Sequence, residues 1–229
     1  MTNEPTSIEI MGKENVSAVL SGPDQLGSSN RTGVIIAHGA ANDMQNKLIV
    51  AVADGLAAAG YTTFRFNFPY KEKGKKSPDT ESTLIRTWQS AVTHLLNNER
   101  FPVDRVVAAG KSMGGRIASQ MVANDQMAVD ALIFFGYPLH APGRTDKLRD
   151  AHLYKITKRM LFFAGTRDPL CNMEKLQEVL QGLHGQCDLE VVEGGDHSFK
   201  LPKSSSISAD SVHQRIVKRC LRWLDQIAK

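Results

Sequence analysis

A serine hydroxyl is a poor nucleophile at neutral pH. A chain that uses one must supply an imidazole to take its proton and a carboxylate to orient that imidazole. Three stretches of this sequence carry those groups in chain order. VVAAGKSMGGRIAS offers Ser112, RMLFFAGTRDPLC offers Asp168, and DLEVVEGGDHSF offers His197. Ser112 lies between Gly110 and Gly114 as Gly-x-Ser-x-Gly, with an apolar run before it and a helical pattern after it. That is the spacing of a strained strand-to-helix turn with a serine at its tip. Asp168 follows shortly after an apolar run that ends at Ala164, and His197 lies in a glycine-rich segment after the last such run. The chemistry these residues could serve is acyl transfer through an acyl-serine, with Ser112 attacking, His197 as base and Asp168 orienting it.

Gly-Lys-Ser at such a junction also ends a phosphate-binding loop. That loop needs Gly-x-x-x-x-Gly-Lys-Ser, because its backbone N–H groups must wrap the phosphates before the lysine arrives. The first glycine would fall at Arg105, and Val106 to Ala109 continue the apolar run, so no loop remains to wrap a phosphate. The rival carboxylate Asp196 is adjacent to His197 and poorly placed to aim at its neighbour's ring. His94 and His213 fall on helical patterns and His184 at a helix end, where packing or surface roles are the default. His38 reads as a structural hydrogen-bonder, and His140 and His152 as candidate substrate contacts.

Acyl transfer also needs two fixed donors for the tetrahedral oxyanion. One is expected to be the backbone N–H of Met113, at the positive end of the helix that follows Ser112. The other is expected at Ala40 in VIIAHGAAND, with Ala41 as a substitute. Asn42 and Asp43 are expected to cap the next helix.

These groups need elements to position them. After a polar start, SIEIM and VSAVLSG read as two edge strands. Strand-like runs then alternate with helical patterns: GVIIAH, residues 47–59, YTTFRF, residues 81–97, RVVAAG, residues 112–123, ALIFFG, RMLFFAG, residues 173–183, DLEVVE and a last helix. Such alternation predicts a mostly parallel sheet covered by helices on both faces, a three-layer α/β/α sandwich. Leu176, Val179, Leu180 and Leu183 recur at helical spacing, as do Ile216, Cys220, Trp223, Leu224 and Ile227. No repeat or Pro/Ser-rich linker divides the chain, so residues 1–229 are read as one domain.

Composition narrows the class. No apolar run approaches the ~20 residues of a membrane span, and MTNEPTSIEI has neither the basic start nor the apolar stretch of a signal peptide. Three cysteines without a CxxC suit reduced thiols, so a cytoplasmic protein with no metal site is expected. The net charge of +4 comes largely from Lys71 to Lys76 and Lys155 to Arg159. Without interleaved aromatic residues or a docking motif, these charges give no ground for a nucleic-acid partner.

His38-Gly39, Gly110-Lys-Ser112-Met-Gly114, Asp168 and His197 together resemble the α/β-hydrolase superfamily. RFNFPYKEKGKKSPD, GKSMGGR, GYPLHAPG and AGTRDPLC with GGDHSF resemble its dienelactone-hydrolase-like side. More narrowly, they resemble a branch of small bacterial proteins that also includes a testis-expressed mammalian protein and a subunit of the NSL chromatin complex. The resemblance implies an eight-stranded, mostly parallel sheet and a triad on Ser112, His197 and Asp168; no cofactor is expected. Dienelactone hydrolases use cysteine where this chain has Ser112, so it implies fold and site rather than that substrate.

Substrates in this fold are selected by loops above the carboxyl edge of the sheet. Two loops have appreciable length, Asn67 to Thr80 and Tyr137 to Ile156, and neither is long enough for a large cap domain. Tyr70, Tyr137, Leu139 and Met113 are expected to line an apolar acyl pocket, with Ala41 and His140 as further substrate contacts. The leading expectation is hydrolysis of a small-molecule carboxylic ester or thioester. Acyl transfer to another acceptor, or a non-catalytic interaction module on the same fold, are the alternatives.

Overall fold

The computed structural model describes residues 1–10, 12, 14–23, 31–40 and 42–227. Its strands in chain order are β1 (Thr2–Ile10), β2 (Glu14–Gly22), β3 (Thr32–Ala37), β4 (Thr62–Phe66), β5 (Arg105–Lys111), β6 (Ala131–Phe135), β7 (Arg159–Gly165) and β8 (Cys187–Val192). They form one sheet in the order β1-β2-β4-β3-β5-β6-β7-β8. Pairing is antiparallel from β1 through β2 to β4 and parallel from β4 to β8. Strands β3 to β7 are buried almost throughout. This is why β3, β5, β6 and β7 read as largely apolar runs, each covered on both faces, while β4 also buries Thr62, Thr63 and Arg65. β1 instead alternates in exposure along the sheet edge, where Pro5 is tolerated because an edge strand has an open side.

The α-helices among the described residues are α1 (Lys47–Ala58), α2 (Pro69–Glu72), α3 (Glu81–Leu96), α4 (Met113–Ala123), α5 (Met173–Gly182) and α6 (Ala209–Ile227), and all but the short α2 cover the sheet. Ile49, Val52 and Leu56 of α1 join Ile216, Cys220 and Trp223 of α6 over Val34, Val107 and Ile133 on one face. On the other face, Trp88 of α3, Ile117 of α4 and Leu176 of α5 pack over Phe66, Phe134 and Phe162. The expected α/β/α sandwich on an eight-stranded sheet is therefore present, and among the described residues no large cap covers its carboxyl edge.

Two local features differ from the sequence reading. The cap of α1 is Asn46, whose Oδ1 accepts from Leu48 N, rather than Asn42 or Asp43. Those two residues brace the turn before it: Asn42 accepts from Asn46 Nδ2, and Asp43 from Gln45 N. The basic loop also contains α2, a single turn entered through Pro69, whose fixed φ suits a first helical position. The carboxylate of Glu72, its last residue, accepts from Ser17 N and Asn67 Nδ2, pinning the loop to β2. Among the described residues no helix is long and apolar enough to cross a membrane.

Candidate active site

The site starts at the end of β5. Ser112 has φ 50° and ψ −115°, a conformation L-residues seldom adopt, and it links β5 to α4. Such a turn closes only if strand and helix touch backbone to backbone. A Cβ at Gly110 would lie 2.2 Å from Gly115 N, and one at Gly114 would lie 2.7 Å from the His38 carbonyl oxygen. The motif glycines are thus required by contact distance, and the tight turn holds the serine hydroxyl out at the carboxyl edge of the sheet.

The loops after β7 and β8 are tied to one another by hydrogen bonds from Thr166 N to Val192 O and from Arg167 N to Gly195 O. This link brings Asp168 and His197 together. His197 Nδ1 lies 2.7 Å from Asp168 Oδ2, and His197 Nε2 lies 2.8 Å from Ser112 Oγ. The second Asp168 oxygen accepts from Leu170 N, which fixes the carboxylate plane. The Asp168 side chain is sealed from solvent, whereas the His197 side chain is 21% exposed. The acid is therefore dry behind the ring, and the ring faces the cleft. Asp196, the rival carboxylate, is occupied by its own loop, with Oδ1 accepting from Ser198 N and Lys200 N.

The His38-Gly39-Ala40 turn packs directly against the serine, since a Cβ at Gly39 would lie 3.3 Å from Ser112 Cβ. Two side chains hold this turn from beneath. The neutral His38 ring donates from Nδ1 to Gly39 O and accepts at Nε2 from Phe68 N. Burial pushes its pKa down to about 4, which keeps that accepting nitrogen free of a proton. The Tyr70 hydroxyl donates to the Ala40 and Gly39 carbonyls at 2.8 and 3.2 Å. With the carbonyls anchored inward, the Ala40 N–H remains, and Met113 N–H is the first of the helix. Among the described residues neither N–H has a protein acceptor.

The cleft above Ser112 has a volume of about 370 Å³. Leu84, Met113 and Ile117 supply apolar wall, and Arg116, Arg149, Asp79 and Glu81 supply charge. A larger hollow of about 840 Å³ between α1 and α6 contains none of the reacting groups, so volume alone would misplace the site.

Several residues expected to touch substrate are directed elsewhere. Tyr70 is wholly buried under the Gly39–Ala40 turn instead of lining an acyl pocket. Tyr137 is also buried; its hydroxyl donates to Arg149 O at 2.7 Å and lies 3.2 Å from His152 Nε2. Leu139 is fully buried in the core. His140 bridges loops, with Nδ1 to Ala141 O and Nε2 accepting from Asn172 N. Each has a polar or packing partner inside the protein, and none faces the cleft. Ala41 lies outside the described residues. The charged lining was missed, although Arg116 follows Ser112 by one helical turn, a spacing that puts both on one face of α4.

Comparison with known proteins agrees with this architecture. Among solved structures, Est1E from Butyrivibrio proteoclasticus is 20% identical and superposes with a TM-score of 0.72 over 98% of this chain and 99% of that one. Dienelactone hydrolase from Anabaena variabilis is 19% identical, with a TM-score of 0.73 over 95% of each chain. A serine hydrolase without a lid from Xanthomonas campestris is 19% identical, with a TM-score of 0.71 over 97% of this chain and 95% of that one. At these identities the likeness is one of fold. Residues 30–225 match the family described as Alpha/beta hydrolase domain, and the chain belongs to that family.

Proposed function

We propose that the protein is a serine hydrolase that cleaves a small carboxylic ester or thioester. The observation that carries this reading is the unbroken series from Asp168 through His197 to Ser112, with both contacts at hydrogen-bond length. Ser112 Oγ attacks the acyl carbon as His197 Nε2 takes its proton, and Asp168 stabilises the imidazolium through Nδ1–H. The tetrahedral oxygen is stabilised by the Ala40 and Met113 N–H groups. His197 then gives its proton to the leaving alcohol or thiol. A water deprotonated by the same ring releases the acid and restores Ser112. The modest cleft volume, with apolar and charged walls side by side, supports a short or polar acyl substrate over a long lipid chain. The NSL-related branch and a cytoplasmic setting remain part of this reading on sequence grounds.

A fluorophosphonate probe tests the proposal. Covalent labelling of the wild type at Ser112, abolished in a folded Ser112→Ala variant, is expected alongside hydrolysis of short nitrophenyl esters. A folded wild type that resists several serine-reactive probes would leave this fold as a binding module. Turnover that rises on adding amine or alcohol acceptors, with matching acyl products, would reassign it as a transferase.

A further inference from the structure

The residue before the nucleophile is Lys111, the last of β5. It continues the alternation of Val107 and Ala109 onto the α1/α6 face and is only 2% exposed. A buried ammonium needs partners. Lys111 Nζ donates to the main-chain carbonyl of His197 at 2.5 Å and lies 5.8 Å from the centre of the Phe199 ring. Gly136, at the end of β6, leaves the space it occupies: a Cβ there would lie 3.2 Å from Nζ and 3.5 Å from His197 Cε1. The charged or titratable groups facing the ammonium are Asp168 from the β7 loop and Asp196 and His197 from the β8 loop. Among the described residues none of these carboxylates comes within ion-pair distance of it. The strand end that carries the nucleophile thus reaches across to hold the residue that carries the base.

We propose, on the basis of the hydrolase reading above, that Lys111 is a positioning residue whose protonated ammonium anchors the His197 main chain and so keeps the imidazole between Ser112 and Asp168. A charge-assisted hydrogen bond is about twice as strong as a neutral one, so loss of the proton loosens this anchor. Burial lowers the Lys111 pKa to about 8, against the pull of Asp168 and Asp196, so the proton is lost within an accessible pH range. Stability moves the opposite way. Below about pH 8 the folded protein bears the cost of a buried charge. Between about 8 and 10.5 the unfolded chain binds more protons, so this group's contribution to stability rises with pH. Activity that falls while stability holds or improves therefore separates positioning from unfolding.

The test is kcat and KM for a nitrophenyl ester from about pH 7 to 9.5, with melting curves, for wild type, Lys111→Met and Lys111→Arg. The wild-type kcat is expected to fall several-fold through about pH 8 while KM changes little. Lys111→Met is expected to lose about tenfold to a hundredfold in kcat at neutral pH and to show no further alkaline decline. Lys111→Arg, permanently charged, is expected to recover part of kcat without the decline. A wild-type kcat that stays flat across the range, or the same decline in Lys111→Met, overturns the proposal. Fluorophosphonate labelling of wild type and Ser112→Ala keeps the two levels apart. Labelling with Lys-independent kinetics removes only the role of Lys111, whereas absence of labelling removes that role and the hydrolase reading together.

Discussion

Two serine–histidine pairs lie along α4, each with the same contact length. His197 Nε2 lies 2.8 Å from Ser112 Oγ at the start of the helix, and His152 Nε2 lies 2.8 Å from Ser119 Oγ two turns further on. Only the first is arranged for chemistry. Ser112 sits on a strained turn that opens into the cleft, and a sealed carboxylate stands behind its histidine. Ser119 lies inside the helix, wholly buried, and its hydroxyl proton is already given to Arg116 O. The Tyr137 hydroxyl proton is likewise given to Arg149 O, so His152 Nε2 must be the donor to Ser119. Burial, reinforced by Arg116, pushes the His152 pKa down to about 4. On the proposed hydrolase reading, the same residue pair is a reactive couple in one place and a clamp for the loop at 137–156 in the other. The carboxylate, the exposure and the proton inventory separate them.

The sharpest way to break this contrast is to remove each histidine in turn. Loss of the His197 ring is expected to cost on the order of 10⁶ in kcat, and loss of the Asp168 carboxylate on the order of 10⁴. His152→Gln is expected to stay within a few-fold of wild type near pH 7. Steady-state kinetics with a nitrophenyl ester measure all three. A loss below tenfold for His197→Ala, or a His152→Gln loss approaching it, would erase the distinction between the pairs. Peptide mapping after fluorophosphonate treatment makes the same comparison chemically, with adduct expected on Ser112 and none on Ser119.

The division between pairs follows what the sequence could and could not reveal. Gly110, Ser112 and Gly114 were readable because backbone contact dictates them: nothing larger fits at 2.2 Å from Gly115 N. Asp168 and His197 were readable because each follows a strand, the apolar β7 for Asp168 and the alternating DLEVV run of β8 for His197, so chain order alone carries them to one edge. Tyr70, Tyr137, Leu139 and His140 lie in the segments after β4 and β6, but sequence does not say which way a side chain turns, and all four are buried with partners inside the protein. Helix α2 was missed because a four-residue turn has too few positions to show a period. Lys111 could be seen only as half of a nucleotide motif, because its partner is a carbonyl 86 residues away.

An intermediate effect is expected at Tyr70. Tyr70→Phe keeps the ring but withdraws the hydroxyl that holds the Gly39 and Ala40 carbonyls. Gly39 O keeps its bonds from His38 Nδ1 and Asn42 N, but the Ala40 carbonyl loses its donor, and leaving a buried acceptor unpaired costs roughly 1–3 kcal/mol. Part of that loss is expected as a looser Ala40 N–H, and hence as reduced transition-state stabilisation. kcat should fall by about tenfold with KM little changed, because the ground-state ester depends less than the oxyanion on this donor. A rise in KM at constant kcat would instead return Tyr70 to the substrate-contact role expected from the sequence.

The smallest effect is an acid-side loss of stability, and it probes the clamp rather than the relay. His152 is neutral when folded, with its pKa lowered from 6.5 to about 4, so the unfolded chain binds more protons between those values. Its contribution to stability is complete above about pH 6.5, declines as pH falls through that window, and is gone by about 4. His38 acts in the same direction through its own lowered pKa, so acid sensitivity persists when His152 alone is removed. A glutamine at 152 can still reach Ser119 Oγ with an amide N–H but cannot take up a proton. His152→Gln is therefore expected to match wild type near pH 7 and to lose less stability between about pH 6.5 and 4.5, as read by urea unfolding at each pH. Parallel acid slopes for the two proteins would mean that the His152 ring is charged, or free of Ser119, in the folded state. The clamp would then lose the feature that distinguishes it from the reactive pair.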